Sequence, residues 1–134
     1  MAVNLVAVLV AAIASMVIGF LWYGPLFGKQ WMAMMKIKKS DIAKMKKMAG
    51  KNYAWTFIIS LVTAYVLAVF IDLAGASTVA AGATIAFWAW LGFVATVTAG
   101  SVLWEGKPVK YFLINVLHWL VDLAVVGGIL AVWK

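Results

Sequence analysis

The stretch FLINVLHWLVDLAVVGGILAVW, residues 112–133, contains only two ionisable side chains, His118 and Asp122. All its other residues are apolar apart from Asn115. About 20 such residues in a helix are enough to cross the roughly 30 Å hydrocarbon core of a bilayer. The stretch therefore predicts a membrane-spanning helix that carries two ionisable groups inside it.

The rest of the chain has the same character. Of its 134 residues 67% are hydrophobic and 11% are charged, whereas a soluble domain is about half apolar and a quarter charged. Four long apolar runs are visible, at about 2–22, 54–73, 79–103 and 110–133. Because backbone groups in lipid must satisfy their own hydrogen bonds, each run is predicted to be a helix. We expect an all-α fold, a single membrane domain built as a four-transmembrane-helix bundle.

The lysines predict how this bundle is oriented. Eight of the eleven lysines lie between Lys29 and Lys51, and Lys107 and Lys110 lie in the next connection on the same side. The positive-inside rule then places both lysine-bearing loops in the cytoplasm and both termini outside, in a multi-pass protein of the cytoplasmic membrane. This clustering between apolar runs is typical of a cytoplasmic loop and argues against nucleic acid as a partner.

The connection 23–53 has a pattern of its own. Apolar residues recur at helical spacing, Ser40 is a candidate N-cap and Gly50 a candidate helix stop. The pattern predicts a basic amphipathic interfacial segment on anionic inner-leaflet lipids, with headgroup contacts from Lys36, Lys38, Lys39, Lys44, Lys46 and Lys47. The alternative is a solvated loop that only sets the topology.

The stretch GFLWYGPLFGKQWM, residues 19–32, follows the first apolar run. Pro25 lacks a backbone N–H and disfavours helical geometry at Gly24, so we expect the first helix to stop there. As an interfacial motif it is either a helix terminator with aromatic anchors or a gate or lipid site. Its members are Trp22, Tyr23, Gly24, Pro25, Gly28 and Trp31.

Together with FLINVLHWLVDLAVVGGILAVW at 112–133, this motif resembles the DUF1761 family of small prokaryotic membrane proteins. The resemblance extends over nearly the whole chain in length, order and number of helices. It implies a small membrane-spanning bundle. It implies no activity, because the function of that family is unknown.

Asn115, His118 and Asp122 follow one another at i, i+3 and i+7 and so lie on one stripe of the last helix. A charge inside a membrane costs roughly 3 kcal/mol even on insertion scales, so such residues face the bundle or a wet cavity. The stripe is predicted to point inward. It is either a proton relay or cation site, or a helix–helix hydrogen-bond clamp worth about 0.6 kcal/mol per contact.

Two further patterns have a packing and a functional interpretation. Trp88, Trp90 and Trp119 occur at similar mid-membrane depth, where they either pack or form a cage for an organic cation beside Asp122. Small residues recur every four positions, which lets helix backbones approach closely within the bundle or between subunits. These ridges are Ala7, Ala11, Ser15 and Gly19 in the first helix, and Gly92, Thr96 and Gly100 in the third.

Few reactive groups are present. The chain has no cysteine, a single histidine and four acidic residues, too few for a metal cluster, and no phosphate-binding loop or catalytic set appears. We expect no enzyme and no cofactor. The sequence leaves two functions open. The first is a self-associating structural or interaction protein, as a homo-oligomer or a subunit of a larger membrane complex. The second is a small oligomeric proton- or cation-coupled transporter or channel using Asp122 and His118.

Overall fold

The computed structural model describes residues 3–134, which form five helices. They are α1 (Leu5–Leu26), α2 (Gly28–Met34), α3 (Lys39–Ala74), α4 (Val79–Leu103) and α5 (Val109–Val132). Of these, α1, α3, α4 and α5 are long and apolar enough to cross a membrane. The predicted all-α bundle with four spanning helices is confirmed. The predicted start of the first span at residue 2 lies outside the described residues.

α5 is the central helix and contacts α1, α3 and α4. Within an apolar stretch of 18 residues in α5, 50% of the residues are buried, whereas 11% are buried in the equivalent stretch of α4. α4 packs mainly on α5 and makes few contacts with α3. The bundle is therefore a core of α1, α3 and α5, with α4 attached to the outer face of α5.

Both chain termini lie at one end of the bundle, which we call the terminal end. Val3, Asp72 and Lys134 surround one small cleft there. At the same end α3 stops at Gly75, whose left-handed φ of 70° lets the Ala76 N–H bond the Ile71 carbonyl at 3.1 Å. The opposite end, which carries the connections 27–38 and 104–108, is called the lysine end.

The basic segment between the first and second spans is present, but it is divided between α2 and the first turns of α3. The predictions of an N-cap at Ser40 and a stop at Gly50 are wrong. Lys38 is the N-cap, its N–H bonds the Asp41 carboxylate at 3.0 Å, and Gly50 lies inside a helix of 36 residues. Glycine costs only about 1 kcal/mol relative to alanine within a helix, which is too little to end one that continues into an apolar span.

The tightest helix crossing joins α4 to α5 through Gly82 and Gly127. A Cβ on Gly82 would overlap the Gly127 carbonyl oxygen, and a Cβ on Gly127 would lie 2.6 Å from the Gly82 carbonyl oxygen. Ala86 and Ala131 pack beside them and are fully covered. Such backbone contact is how helices associate where lipid leaves little hydrophobic driving force.

The predicted small-residue ridges have different outcomes. Ala7 and Ala11 of the first ridge are completely buried within the bundle. Gly92 of the second ridge is exposed, and a Cβ added there would meet nothing within 4 Å. The first ridge thus packs inside the bundle, whereas the second faces outward on α4.

Candidate functional site

The predicted polar stripe faces inward on the central helix. His118 and Asp122 are 6% and 1% exposed, and Asn115 is partly buried. Asn115 and His118 lie in the half of α5 nearer the lysine end, and Asp122 lies just past the middle of the helix. They are buried because α1, α3 and α4 pack around α5.

Asn115 is held by the end of α1. The Tyr23 hydroxyl donates to the Asn115 side-chain oxygen at 2.6 Å, and one residue earlier the Trp22 indole N–H donates to the Ile114 carbonyl at 3.0 Å. For Asn115 this geometry matches the hydrogen-bond clamp. It joins α1 to α5 at the lysine end.

The local structure of α1 explains why Trp22 and Tyr23 reach α5. Residues Trp22–Leu26 form a π-helical turn, in which the Phe27 N–H bonds the Trp22 carbonyl at 2.9 Å. Pro25 has no N–H and its ring would clash with the carbonyl four residues earlier, and the wider turn accommodates it. The helix therefore continues to Leu26, and the expectation that it stops at Gly24 is wrong.

The remaining residues of the interfacial motif fold α2 back against this turn. A Cβ on Gly28 would lie 2.7 Å from the Tyr23 carbonyl oxygen, so only glycine fits at that position. The Trp31 ring meets the Tyr23 ring edge-on at 6.0 Å between centroids. The motif thus positions Tyr23, which in turn contacts Asn115.

His118 and Asp122 differ from Asn115. Among residues 3–134, neither ring nitrogen of His118 and neither carboxylate oxygen of Asp122 has a hydrogen-bond partner. The two side chains do not hydrogen-bond each other either. The Ser15 side chain of α1 is the polar group beside the Asp122 carboxyl, but it does not reach hydrogen-bonding geometry. A buried polar group without a partner costs about 1–3 kcal/mol. Unlike Asn115, these two residues therefore make no hydrogen bond to another helix in the structure of residues 3–134.

Aromatic rings surround His118. The centroids of Trp119, Tyr23 and Trp22 lie 4.9, 5.0 and 6.0 Å from that of the imidazole. On the side of α1, a Cβ added to Gly19 would lie 3.7 Å from Nε2 of His118. Gly19 therefore adds no side chain between α1 and the imidazole, whose two nitrogens are almost fully covered.

A groove of about 410 Å³ opens beside His118, between α1 and α3. It reaches from Gly24 and Tyr53 near the lysine end to Ser15 and Ser60 near the middle of the bundle. Asp122 does not line it. The lining residues are Ser15, Met16, Gly19, Phe20, Tyr23, Gly24, Tyr53, Thr56, Ser60, His118 and Trp119.

The three tryptophans predicted as an aromatic lining are not brought together. Trp119 lines the groove. Trp90 packs from α4, where its indole N–H donates to the Val116 carbonyl at 2.7 Å. Trp88 is 64% exposed on α4. Of these three tryptophans, Trp119 alone is therefore in a position to contact a ligand beside His118.

The polar residues of α3 that line the groove were not predicted. Ser60 is buried, and Thr56 and Tyr53 lie about one and two turns closer to the lysine end. A serine in the middle of an apolar span, at a spacing of four from Thr56, was the available sequence signal. The predicted lipid-contact lysines are all exposed and lie outside the groove: Lys36, Lys38, Lys39, Lys44, Lys46 and Lys47.

A comparison with known protein families identifies the chain at family level. A family model described as "Protein of unknown function (DUF1761)" matches residues 6–131. The chain belongs to the DUF1761 family. The match includes the WYGPLFG motif and α5, so the resemblance predicted from those residues is confirmed. No curated protein and no solved structure matches the chain.

Proposed function

We propose that this DUF1761 protein is a small membrane transporter that moves a proton or a small cation through a site at His118 and Asp122. The observation that carries the proposal is that both side chains are more than nine-tenths buried near mid-membrane without a hydrogen-bond partner among residues 3–134. Ionisable residues in such positions mark ion pathways and proton relays. A purely structural role would be expected to pair them, as it pairs Asn115.

The arrangement offers two successive positions for a proton. The groove leads from the lysine end to His118, and Asp122 lies one helical turn, about 6 Å, further toward the terminal end. A neutral imidazole accepts a proton on one nitrogen and releases it to a carboxylate. Beyond Asp122, α5 is closed by the buried Leu123, Val126 and Leu130. Passage to the terminal end would therefore require a helix movement or an association of chains.

The test is pH-driven flux in proteoliposomes. Asp122→Asn should abolish the flux and leave folding intact, because an amide keeps the shape of the carboxyl but cannot exchange a proton. Asp72→Asn is the matched control, since Asp72 is exposed at the terminal end of α3. Unchanged flux in Asp122→Asn, or wild-type protein without flux above empty vesicles, would exclude the proposal.

Self-association, alone or within a larger complex, is the second candidate function. α4 is the observation that favours it, because most of this helix is uncovered, with Trp88 and Phe93 64% and 70% exposed and Gly92 open. Native mass spectrometry of gently extracted protein should then show a defined oligomer that Gly92→Leu dissociates. A monomer at all concentrations would remove this candidate.

Location and orientation remain part of the proposal. An even number of spans brings both termini to one side, and the lysine count supports the outer side of the cytoplasmic membrane for them. The segment 36–47 would then face the anionic lipids of the inner leaflet. The chain has no cysteine, so single cysteines at positions 46 and 134 should label from opposite sides of intact cells. Labelling from the same side would contradict this topology.

A further inference from the structure

The groove between α1 and α3 has a polar inner end. His118 of α5, Ser15 of α1 and Ser60 of α3 meet there, so three helices each supply a hydrogen-bonding side chain. His118 and Ser60 are 6% and 7% exposed, and both ring nitrogens of His118 are unbonded among residues 3–134. A neutral imidazole offers one donor and one acceptor, and each hydroxyl offers both. This end is equipped to bind a group that carries oxygen atoms.

The walls of the groove are apolar and largely aromatic. Phe20, Tyr23, Tyr53 and Trp119 line it, and Gly19 adds no side chain between α1 and the imidazole. Aromatic rings in this arrangement favour a flat partner, which they contact by offset stacking or edge-to-face. Its volume of about 410 Å³ falls in the range of about 300–1,000 Å³ usual for small-molecule sites.

These two features restrict the chemistry of the occupant. An acyl chain would leave the polar inner end without hydrogen-bond partners, which is unfavourable for buried polar groups. A free inorganic ion would leave the aromatic walls uncovered. A phospholipid headgroup is matched by the exposed lysines at the lysine end rather than by a histidine near mid-membrane.

We propose that the groove binds a lipid-soluble planar ring with carbonyl or hydroxyl oxygens, the class of quinones and hydrophobic phenols. The ring lies among the aromatic walls, and the apolar tail leaves between α1 and α3. The two nitrogens of His118 are almost fully covered, so a small displacement of α1 at Gly19 brings one oxygen of the ring to the imidazole. This inference goes beyond the transport function and does not depend on it, because Asp122 does not line the groove.

The single histidine of the chain makes the test specific. Protein labelled with ¹⁵N in the histidine ring and placed in phosphatidylcholine nanodiscs gives imidazole signals from His118 alone. Decylubiquinone should shift these signals with a saturable dependence on its concentration in the bilayer. Decane, which has the tail but no oxygenated ring, should not.

Two leucine variants locate the site. Gly19→Leu fills the groove beside the imidazole and should weaken the apparent affinity for decylubiquinone by about tenfold or more. Gly50→Leu is the matched control, because Gly50 is exposed in α3, has open space around it and does not line the groove, so the titration should be unchanged. Ser60→Leu fills the same inner end from α3 and should act as Gly19→Leu does, which guards against a folding defect in one variant.

Several results would overturn the inference. A shift that rises linearly without saturation, or an equal shift with decane, would mean partition into lipid only. A saturable shift that persists in both Gly19→Leu and Ser60→Leu would place the quinone elsewhere. Asp122→Asn separates this inference from the proposed transport function, because it should lose flux and still bind decylubiquinone.

Discussion

The two halves of α5 are built in opposite ways. In the terminal half, residues 123–131, glycines and alanines bring α4 against α5 at backbone distance, and Val126 is almost completely covered. In the lysine half, residues 114–122, long aromatic side chains reach α5 through single hydrogen bonds, and two buried ionisable groups have no partner within the described chain. The first half is packed for stability. The second half retains unused hydrogen-bonding capacity next to a groove.

Close backbone packing and buried polar groups without partners thus occupy different lengths of the same helix. In lipid, close van der Waals contact between backbones provides most of the association energy. A rigid crossing at Gly82 and Gly127 can therefore support a neighbouring region whose buried polar groups lack hydrogen-bond partners. Unsatisfied groups of this kind are typical of functional sites, where a protein gives up stability.

Gly82→Ala should have the largest effect on stability. Its methyl group would overlap the Gly127 carbonyl and lie 2.6 Å from Cβ of Ala131. Backbone cannot move aside as a side chain can, so we expect a loss of about 1–3 kcal/mol or more. The free energy of unfolding in bilayers measures it. Gly92→Ala, with open space around it, should change stability by less than about 0.5 kcal/mol. Equal losses in both variants would show that the crossing is not tight.

Asp122→Leu should stabilise the bundle, by about 1–3 kcal/mol, because it replaces an unpartnered buried carboxyl by an apolar group of similar branched shape. It should also abolish flux. Asn115→Leu is the contrasting variant, since it removes the acceptor of the Tyr23 hydroxyl and should destabilise. The same unfolding measurement serves both. Destabilisation by Asp122→Leu would mean that the carboxyl takes part in a helix–helix hydrogen bond, with Ser15 as the nearest candidate.

Tyr23→Phe should have the smallest effect, a loss of about 0.6 kcal/mol, the average for one hydrogen bond between membrane helices. The ring itself remains in place against His118 and Trp31, so only the hydroxyl contact with Asn115 disappears. Tyr65→Phe is the control, because Tyr65 lies on the same kind of helix but is 46% exposed. A loss above about 2 kcal/mol for Tyr23→Phe would show that the two halves of α5 do not differ as described.

Hydropathy and spacing alone establish the four spanning helices and the inward position of Asn115, His118 and Asp122. Both follow from local properties: the length of an apolar run sets whether a helix spans the bilayer, and the helical repeat sets which residues share a face. The stretches 19–32 and 112–133 together were likewise sufficient to predict the family, which the match over residues 6–131 confirms.

The partners of these residues were decided by packing. Glycine and alanine recur at close-packing spacing in several helices, and only the crossing of α4 over α5 selects Gly82 and Gly127 instead of Gly92. Trp22 and Trp90 find their carbonyl acceptors in α5, 92 and 26 residues away along the chain. The groove beside His118 is lined by residues of α1, α3 and α5 together. Such contacts join residues far apart in the chain, and no local pattern of hydropathy encodes them.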